Sequence, residues 1–456
     1  MVHTTISAAL DRTVRLSCAG LRMPKVWYAS PVLAPSRRAV IVVCDSLRAD
    51  MIRADTAPTL ASLPGNAVKR YTGCRGVFPS VTRVTSASIA TGCHPGRHGL
   101  LGNTMVLDEG AGLICLSVAK PEFRDRMRKA TGRTLLAPTL AERLAGHGGV
   151  IVMSNVSAGA AYFQDPDGFG HVYHSAGSFG PGLVLVPDAE HLDIQKGEAG
   201  DAVMTARFCD EVLRERKPPL SVLWLSEPDY TGHKSPLGSP AHLSAIRAAD
   251  RCVKQVLDTV RALDDETLLI ICSDHGMETT ARTIDVDAVL VEAGLKTGRD
   301  STDLVTAPNG TATIIYRARD AKAGEDDLQR FLQDQDWVGQ LYMGAELAQV
   351  ALPTGGPVAA AVSLRAENRP NEFGVWGFGD IAADLDGREF TGFGQHGGVG
   401  PNEQRPFLFV SGPGYLDGAD VATPVSHVNI APTVLAHLGL PWEGMDGTPL
   451  PVGSVR

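Results

Sequence analysis

Nowhere in the 456-residue sequence does an apolar run approach the ~18 consecutive residues that a membrane-crossing helix needs. The longest runs, 39–44 and 268–272, have the length of strands. Basic charge is in short supply: 42 Lys and Arg stand against 51 Asp and Glu, and the net charge of −9 lacks the basic excess of a polynucleotide-binding surface. The expected partners are therefore small molecules, with neither a nucleic acid polymer nor a membrane among them. None of the eight cysteines is spaced CxxC, so neither a thiolate zinc site nor a disulfide framework is expected. The opening MVHTTISAALDRTVRLSCAG lacks the unbroken apolar stretch of a signal peptide, being interrupted by Asp11, Arg12 and Arg15, and a cytoplasmic location is the expectation. Internal repeats and low-complexity tracts are also missing. What remains, 44% apolar and 20% charged residues, is the composition of a chain that buries a core and excludes disorder as its main state.

Three apolar runs end in acidic residues: 39–44 before Asp45, 221–225 before Asp229, and 268–272 before Asp274. Unbroken apolar runs mark parallel strands covered on both faces, whereas a one-sided sheet alternates. Between them, Leu243, Ile246, Ala249, Val253, Val256, Leu257 and Val260 keep a 3.6-residue stripe that predicts a helix over 241–263. A helix over 137–144 and a strand over 149–153 continue the alternation. The expected fold is α/β, with a doubly wound, mostly parallel sheet. Ligands of such sheets bind beyond the carboxyl ends of the strands, where Asp45, Asp229 and Asp274 converge. After His275 the pattern changes to a strand over 312–316, a helix over 325–332 and a strand over 338–341. This predicts a small inserted α+β cap over 311–385, a core formed by 36–310 and 386–456, and an N-terminal extension over 1–35. Core-like sequence resumes with PFLFVSGPG from Pro406, and a helix is expected over 430–438.

The chemistry-bearing residues lie on glycine-containing loops: Asp45, then Asp229 and His233 in EPDYTGH, Asp274 and His275 in SDHGM, and His396 in GQHGG. Three carboxylates and three imidazoles suffice for two divalent metal ions with open positions; Zn²⁺ suits this donor set best and Mn²⁺ tolerates it. Two ions about 3.5–4 Å apart would clamp the attacking and leaving oxygens of an in-line displacement. Thr82, in GVFPSVTRVTSASIATG, precedes a helical stretch ending at Gly92, so helix-terminal amides would face an anion there. Its hydroxyl is the candidate nucleophile beside the metals. Read alone, Thr82 is equally well a helix N-cap.

In this order, VVCDSLRAD, FPSVTRVTSASIATGCHPGRHGLLGN, EPDYTGH, SDHGM, QHGG and VNIAPTVLAHLGLP resemble the alkaline phosphatase superfamily, nearest its nucleotide pyrophosphatase/phosphodiesterase branch. The resemblance implies an alkaline-phosphatase-like core and a two-metal hydrolase of phosphodiester or pyrophosphate bonds working through a covalent phosphothreonine. It implies that Asp45, Asp274, His275 and Thr82 hold one ion and Asp229, His233 and His396 the other. It also implies that Asn103, in GLLGN, and the backbone amide of Arg83 bind a non-bridging phosphoryl oxygen. CHPGR, at Cys93, mimics a sulfatase signature, but the residue at the sulfatase cysteine's distance from Thr91-Gly92 is Thr82. A dedicated monoesterase is disfavoured, because Trp224 stands where a third-metal glutamate is expected. RVTS replaces the branch's usual FPNH, so its nucleotide-clamping aromatics do not transfer residue by residue; Tyr162, Phe163, Tyr173, Phe373 and Trp376 could stack on a base, but core packing is the expectation for each. The second reading is a phosphonoacetate hydrolase-like enzyme cleaving a C–P bond. Against it, VIVMSNVSAGAAYFQDPDGFGHVYHS carries no lysine to hold a carboxylate, although Arg124, Arg126, Arg128, Lys129 and Arg133 lie just upstream. A non-catalytic metal-binding relative would have lost the nucleophile or a ligand, and all are present.

Overall fold

A computed structural model describes residues 37–452 apart from 66, 111, 121, 264 and 265. The expected N-terminal extension, and the segment on which the cytoplasmic reading rests, lie outside the described residues. Strand Arg37–Cys44 runs through the middle of a ten-stranded sheet, parallel to Glu266–Cys272 on one side and Leu220–Leu225 on the other. Val150–Ser154 and His171–Tyr173 extend the parallel set, while Leu408–Ser411 adds antiparallel to Glu266–Cys272. The apolar runs are continuous because both faces are covered. Val40, Val42 and Cys44 pack on one side with Ile246, Ala249, Val253 and Val256 of helix Pro240–Arg261. Ala39, Ile41 and Val43 pack on the other with Ile89, Leu140, Leu144 and Val434. The doubly wound, mostly parallel sheet is thus the one the sequence predicts.

Local chemistry sets the helix ends. Helix Pro240–Arg261 is capped by Ser239, whose side chain accepts from the His242 amide, and Pro240 occupies the first helical position. The helix expected over 137–144 is shorter, Leu140–Leu144, because Thr139 caps it by accepting from the Glu142 amide. Helix Thr82–Thr91 ends on Gly92, whose φ of 66° is the left-handed conformation glycine adopts freely. Its N-cap is Val81, and Thr82 is the first helical residue. The Thr82 hydroxyl is therefore not the cap.

A second, four-stranded antiparallel sheet has the order Leu304–Asn309, Ala312–Arg317, Val358–Leu364 and Val338–Met343. Helix Glu325–Gln333 covers it through Leu328 and Leu332. The boundary expected at 311 falls in the turn joining the first two strands, so this sheet begins earlier, at Leu304. No strand is expected over Leu304–Asn309 from the sequence pattern; it carries Pro308, which an edge strand accommodates, and an edge is where it lies. Strand Glu278–Ile284 also pairs with Trp376–Ala382 and with Gly394–Gln395, which carries the chain to His396. Among the described residues no helix is long and apolar enough to cross a membrane, and seven cysteines are described as free thiols.

Candidate active site

Each acid follows the end of a parallel strand, and one serine draws the three loops together. Ser46, at a left-handed φ of 60°, donates its amide to Asp274 Oδ1 at 3.0 Å and its hydroxyl to Asp229 Oδ1 at 2.7 Å. The same hydroxyl oxygen lies 2.9 Å from His275 Nδ1. Since its proton goes to Asp229, Nδ1 of His275 is the donor toward this oxygen and toward Gly276 O at 3.1 Å. The Nε2 lone pair then faces Thr82 Oγ1 at 3.2 Å, Asp274 Oδ2 at 3.0 Å and Asp45 Oδ1 at 3.8 Å.

The second cluster follows the same logic. His233 Nδ1 donates to Gly394 O at 2.9 Å and His396 Nδ1 to Ser80 O at 2.8 Å. Both Nε2 atoms thereby turn lone pairs toward Asp229 Oδ1, at 3.2 and 3.6 Å. The rings of His275 and His396 stack at 3.7 Å between the two clusters.

This donor set fits divalent cations. Asp45 Oδ1 and Asp274 Oδ2 are buried with no hydrogen-bond partner among the described residues, although such oxygens are costly to leave unmatched. Burial, with Asp274 and Asp229 beside it, raises the Asp45 carboxyl well above its ordinary range. Burial also acts to raise Asp229, but His233, His396 and His275 outweigh it and hold this carboxylate well below that range. Burial and the nearby His275 push His396 well down, favouring the neutral imidazole that ligates metals. Two groups have ligand atoms mutually within 4.8 Å: Asp229, His233 and His396, and Asp45, Asp229 and His275. Asp229 stands between the two, whereas Asp274 joins the Asp45–Asp229–His275 group through His275 Nε2 and the Ser46 amide.

The clusters open into a cleft of about 1270 Å³ whose walls include Thr82, Arg83 and Asn103. Asn103 Oδ1 lies 3.3 Å from the Arg83 amide, so both groups implied to bind one phosphoryl oxygen are adjacent. Asn309, from the second sheet, accepts the Asn103 amide at 2.6 Å and pins that loop. Burial chiefly, with Arg388 nearby, brings the Arg83 guanidinium down to about 10. Trp224, at the place where a third-metal glutamate is expected, donates its Nε1 to Asp45 Oδ2 at 3.0 Å.

None of the five aromatics is among the cleft walls: Tyr162, Phe163 and Tyr173 are buried as expected, but Phe373 and Trp376, expected in the core, are exposed, because they lie in the turn before strand Trp376–Ala382 and at its first residue. Tyr230, Phe390 and Phe393 line the cleft instead. Upstream, Arg126, Arg128 and Arg133 pair with Glu109, Asp167 and Glu142, and Arg124 lies 4.7 Å over the Tyr162 ring. Cys93 is buried in contact with Thr91 O, away from the cleft. Ser46, Asn309 and Phe390 are site residues that sequence reasoning did not single out. The serine directly after Asp45 was a legible signal for the first.

A large, mostly parallel sheet with carboxylate and imidazole clusters at its strand ends defines an alkaline-phosphatase-like α/β protein. The family model for type I phosphodiesterase / nucleotide pyrophosphatase matches residues 39–335, and the chain belongs to that family. Venom phosphodiesterase 2 of Crotalus adamanteus is 25% identical over 211 residues, 45% of this chain and 22% of that protein. Venom phosphodiesterase of Macrovipera lebetinus is 26% identical over 211 residues, 45% and 21% of the two chains. The match thus spans about a fifth of the length of these relatives. Among solved structures, murine ectonucleotide pyrophosphatase/phosphodiesterase 5 in complex with AMP, an inactive threonine-to-alanine form, superposes with a TM-score of 0.64 at 16% identity. That superposition covers 90% of this chain and 97% of the other, and it shows a shared fold.

Proposed function

We propose that the protein is a metal-dependent hydrolase of phosphodiester or pyrophosphate bonds in small molecules, acting through a covalent intermediate on Thr82. The observation that carries this reading is the position of Thr82 Oγ1, at the first turn of a buried helix and 3.2 Å from His275 Nε2, with orphaned carboxylate oxygens converging beside it. Oγ1 attacks phosphorus, forming the P–Oγ1 bond as the bond to the leaving oxygen breaks; water then cleaves P–Oγ1 and regenerates the hydroxyl. The amide of Arg83 and the Asn103 side chain orient a non-bridging oxygen, and the adjoining helix N-terminus favours its negative charge. Asp45, Asp274 and His275 would hold one cation beside Thr82, and Asp229, His233 and His396 a second. When bound, such cations lower the pKa of the attacking hydroxyl and neutralise charge on the leaving oxygen. Imidazole with carboxylate supports zinc, with manganese the alternative.

The family and the AMP held by the murine neighbour support a nucleotide-like substrate, and the acidic net charge argues against a polynucleotide. A second reading, C–P bond cleavage of the phosphonoacetate type, gains support from one feature: Lys120 and Lys196 line the cleft and offer the positive charge that segment 150–175 lacks.

The test is Thr82→Ala. With zinc or manganese supplied, the variant should lose turnover of bis(p-nitrophenyl) phosphate by at least about 10³-fold while retaining its metals. Acid-quenched wild-type enzyme should show a phosphoryl adduct on the Thr82 peptide by mass spectrometry. Undiminished activity of the variant refutes the nucleophile assignment.

A further inference from the structure

Arg83 contributes more to the cleft than its amide. Its Nε donates to Ser157 Oγ at 3.1 Å and its Nη1 to Asn103 O at 3.1 Å, both neutral acceptors. Gly159 makes room for the side chain, since a Cβ there would lie 3.1 Å from Arg83 Cδ and Nε. A guanidinium offers five N–H donors, and these two bonds leave three. Among the described residues no carboxylate pairs with it, in contrast to Arg126, Arg128 and Arg133, each of which has one. Lys196 and Lys120 line the same cleft, and neither forms a salt bridge among the described residues, although Lys196 lies near enough to act on the Asp45 carboxyl. A partly buried cation held by neutral groups, with donors to spare in a ligand-sized cleft, is arranged for an anion that arrives from outside.

We propose that Arg83, seconded by Lys196, forms an anion subsite beside the phosphoryl site, which takes a second anionic group of the substrate, a carboxylate or a further phosphoryl group. This rests on the phosphoryl-hydrolase reading and narrows it to substrates carrying two anionic groups a few bonds apart. A neutral alkyl substituent would leave the guanidinium unmatched, whereas a carboxylate or phosphoryl oxygen pair matches its planar fork.

The experiment is calorimetric binding of methylphosphonate, phosphonoacetate and methylenediphosphonate to the metal-loaded protein at fixed free zinc. Wild type should bind one or both of the ligands with a second anionic group at least about tenfold more tightly than methylphosphonate. Arg83→Met should cut that advantage to within about threefold, Arg83→Lys should keep part of it, and Lys196→Met, an exposed position where folding is not at issue, should reduce it. The ligand that loses more on Arg83→Met identifies the second group as carboxylate or phosphoryl. An advantage absent from wild type, or undiminished in Arg83→Met, overturns the subsite. Turnover of ethyl p-nitrophenyl phosphate, which has no second anion, is measured alongside. Its absence in wild type would count against the hydrolase reading while the binding comparison still decides the subsite.

Discussion

Replacing Asp45 by Asn should make the metal-free protein more stable and the metal-loaded protein less responsive. In the structure Asp45 Oδ2 already has a donor in Trp224 Nε1, an interaction an asparagine carbonyl can keep, while Oδ1 is buried without one. Burial and the neighbouring Asp274 and Asp229 raise the Asp45 carboxyl well above its ordinary range. The sign follows: at neutral pH the carboxylate is worse placed in the folded than in the unfolded chain, so its removal stabilises the protein in EDTA. With cations present the balance reverses, because the repulsion becomes ligation. A site held at a hundred times its dissociation constant adds about 2.7 kcal/mol. For roughly 400 folded residues the unfolding entropy near the midpoint is about 0.9 kcal/mol per degree, so each site raises Tm by about 3 °C. Differential scanning calorimetry at pH ~7.5, in EDTA and in buffered zinc, should show wild type gaining about 6 °C and Asp45→Asn about half that, from a higher starting Tm. Elemental analysis should find one ion fewer in the variant. A variant that melts below wild type in EDTA and still shows the full metal response would refute the argument that Asp45 Oδ1 is kept bare for a cation.

Asn103→Ala should lower kcat/KM on an aryl phosphodiester by about 10²–10³-fold with both metals retained, since it removes an oriented donor and no proposed ligand; near-full activity with unchanged metal content would take Asn103 out of the site. Glu403, whose carboxylate accepts from the amides of Gly397 and Gly398 at 2.7 and 3.0 Å and of Gly400 at 2.9 Å, positions the loop that follows His396. Glu403→Ala should weaken zinc binding at the Asp229–His233–His396 cluster by about 10–100-fold, read by competition with a chelator, while an unchanged affinity would deny it that role. Glu278 is pushed up to about 8 by burial and by Glu403, so between pH ~4.5 and 8 the folded chain keeps a proton that the unfolded chain releases, and stability falls as pH rises through that window. Glu278→Gln should flatten this decline between about pH 5 and 9; parallel Tm curves for the two proteins would contradict it.

How much of this was legible in the sequence differs from element to element. Unbroken runs at 39–44, 221–225 and 268–272 predicted strands covered on both faces, and Val40 and Val42 do face one helix layer while Ile41 and Val43 face the other. The strand Leu304–Asn309, just before the boundary expected at 311, went unread because Pro308 hides an edge strand from pattern reading. In the site, the rule that ligands gather beyond strand ends was enough to put Asp45, Asp229 and Asp274 together. Residue types and order thus determined the fold class, the helical stretch after Thr82 that ends at Gly92 and the convergence of the acids, because these follow from local periodicity and from topology. Only the tertiary structure decided which lone pairs point inward. The Ser46 hydroxyl, the carbonyls of Ser80 and Gly394, and Trp224 Nε1 orient His275, His396, His233 and Asp45 from positions far away in the chain. Asn309 pins Asn103 across 206 residues, and Arg83 keeps free donors because Ser157 and Asn103 satisfy the others. Hydrogen-bond direction depends on distances of a few tenths of an ångström between side chains from different elements, and no sequence periodicity carries that information.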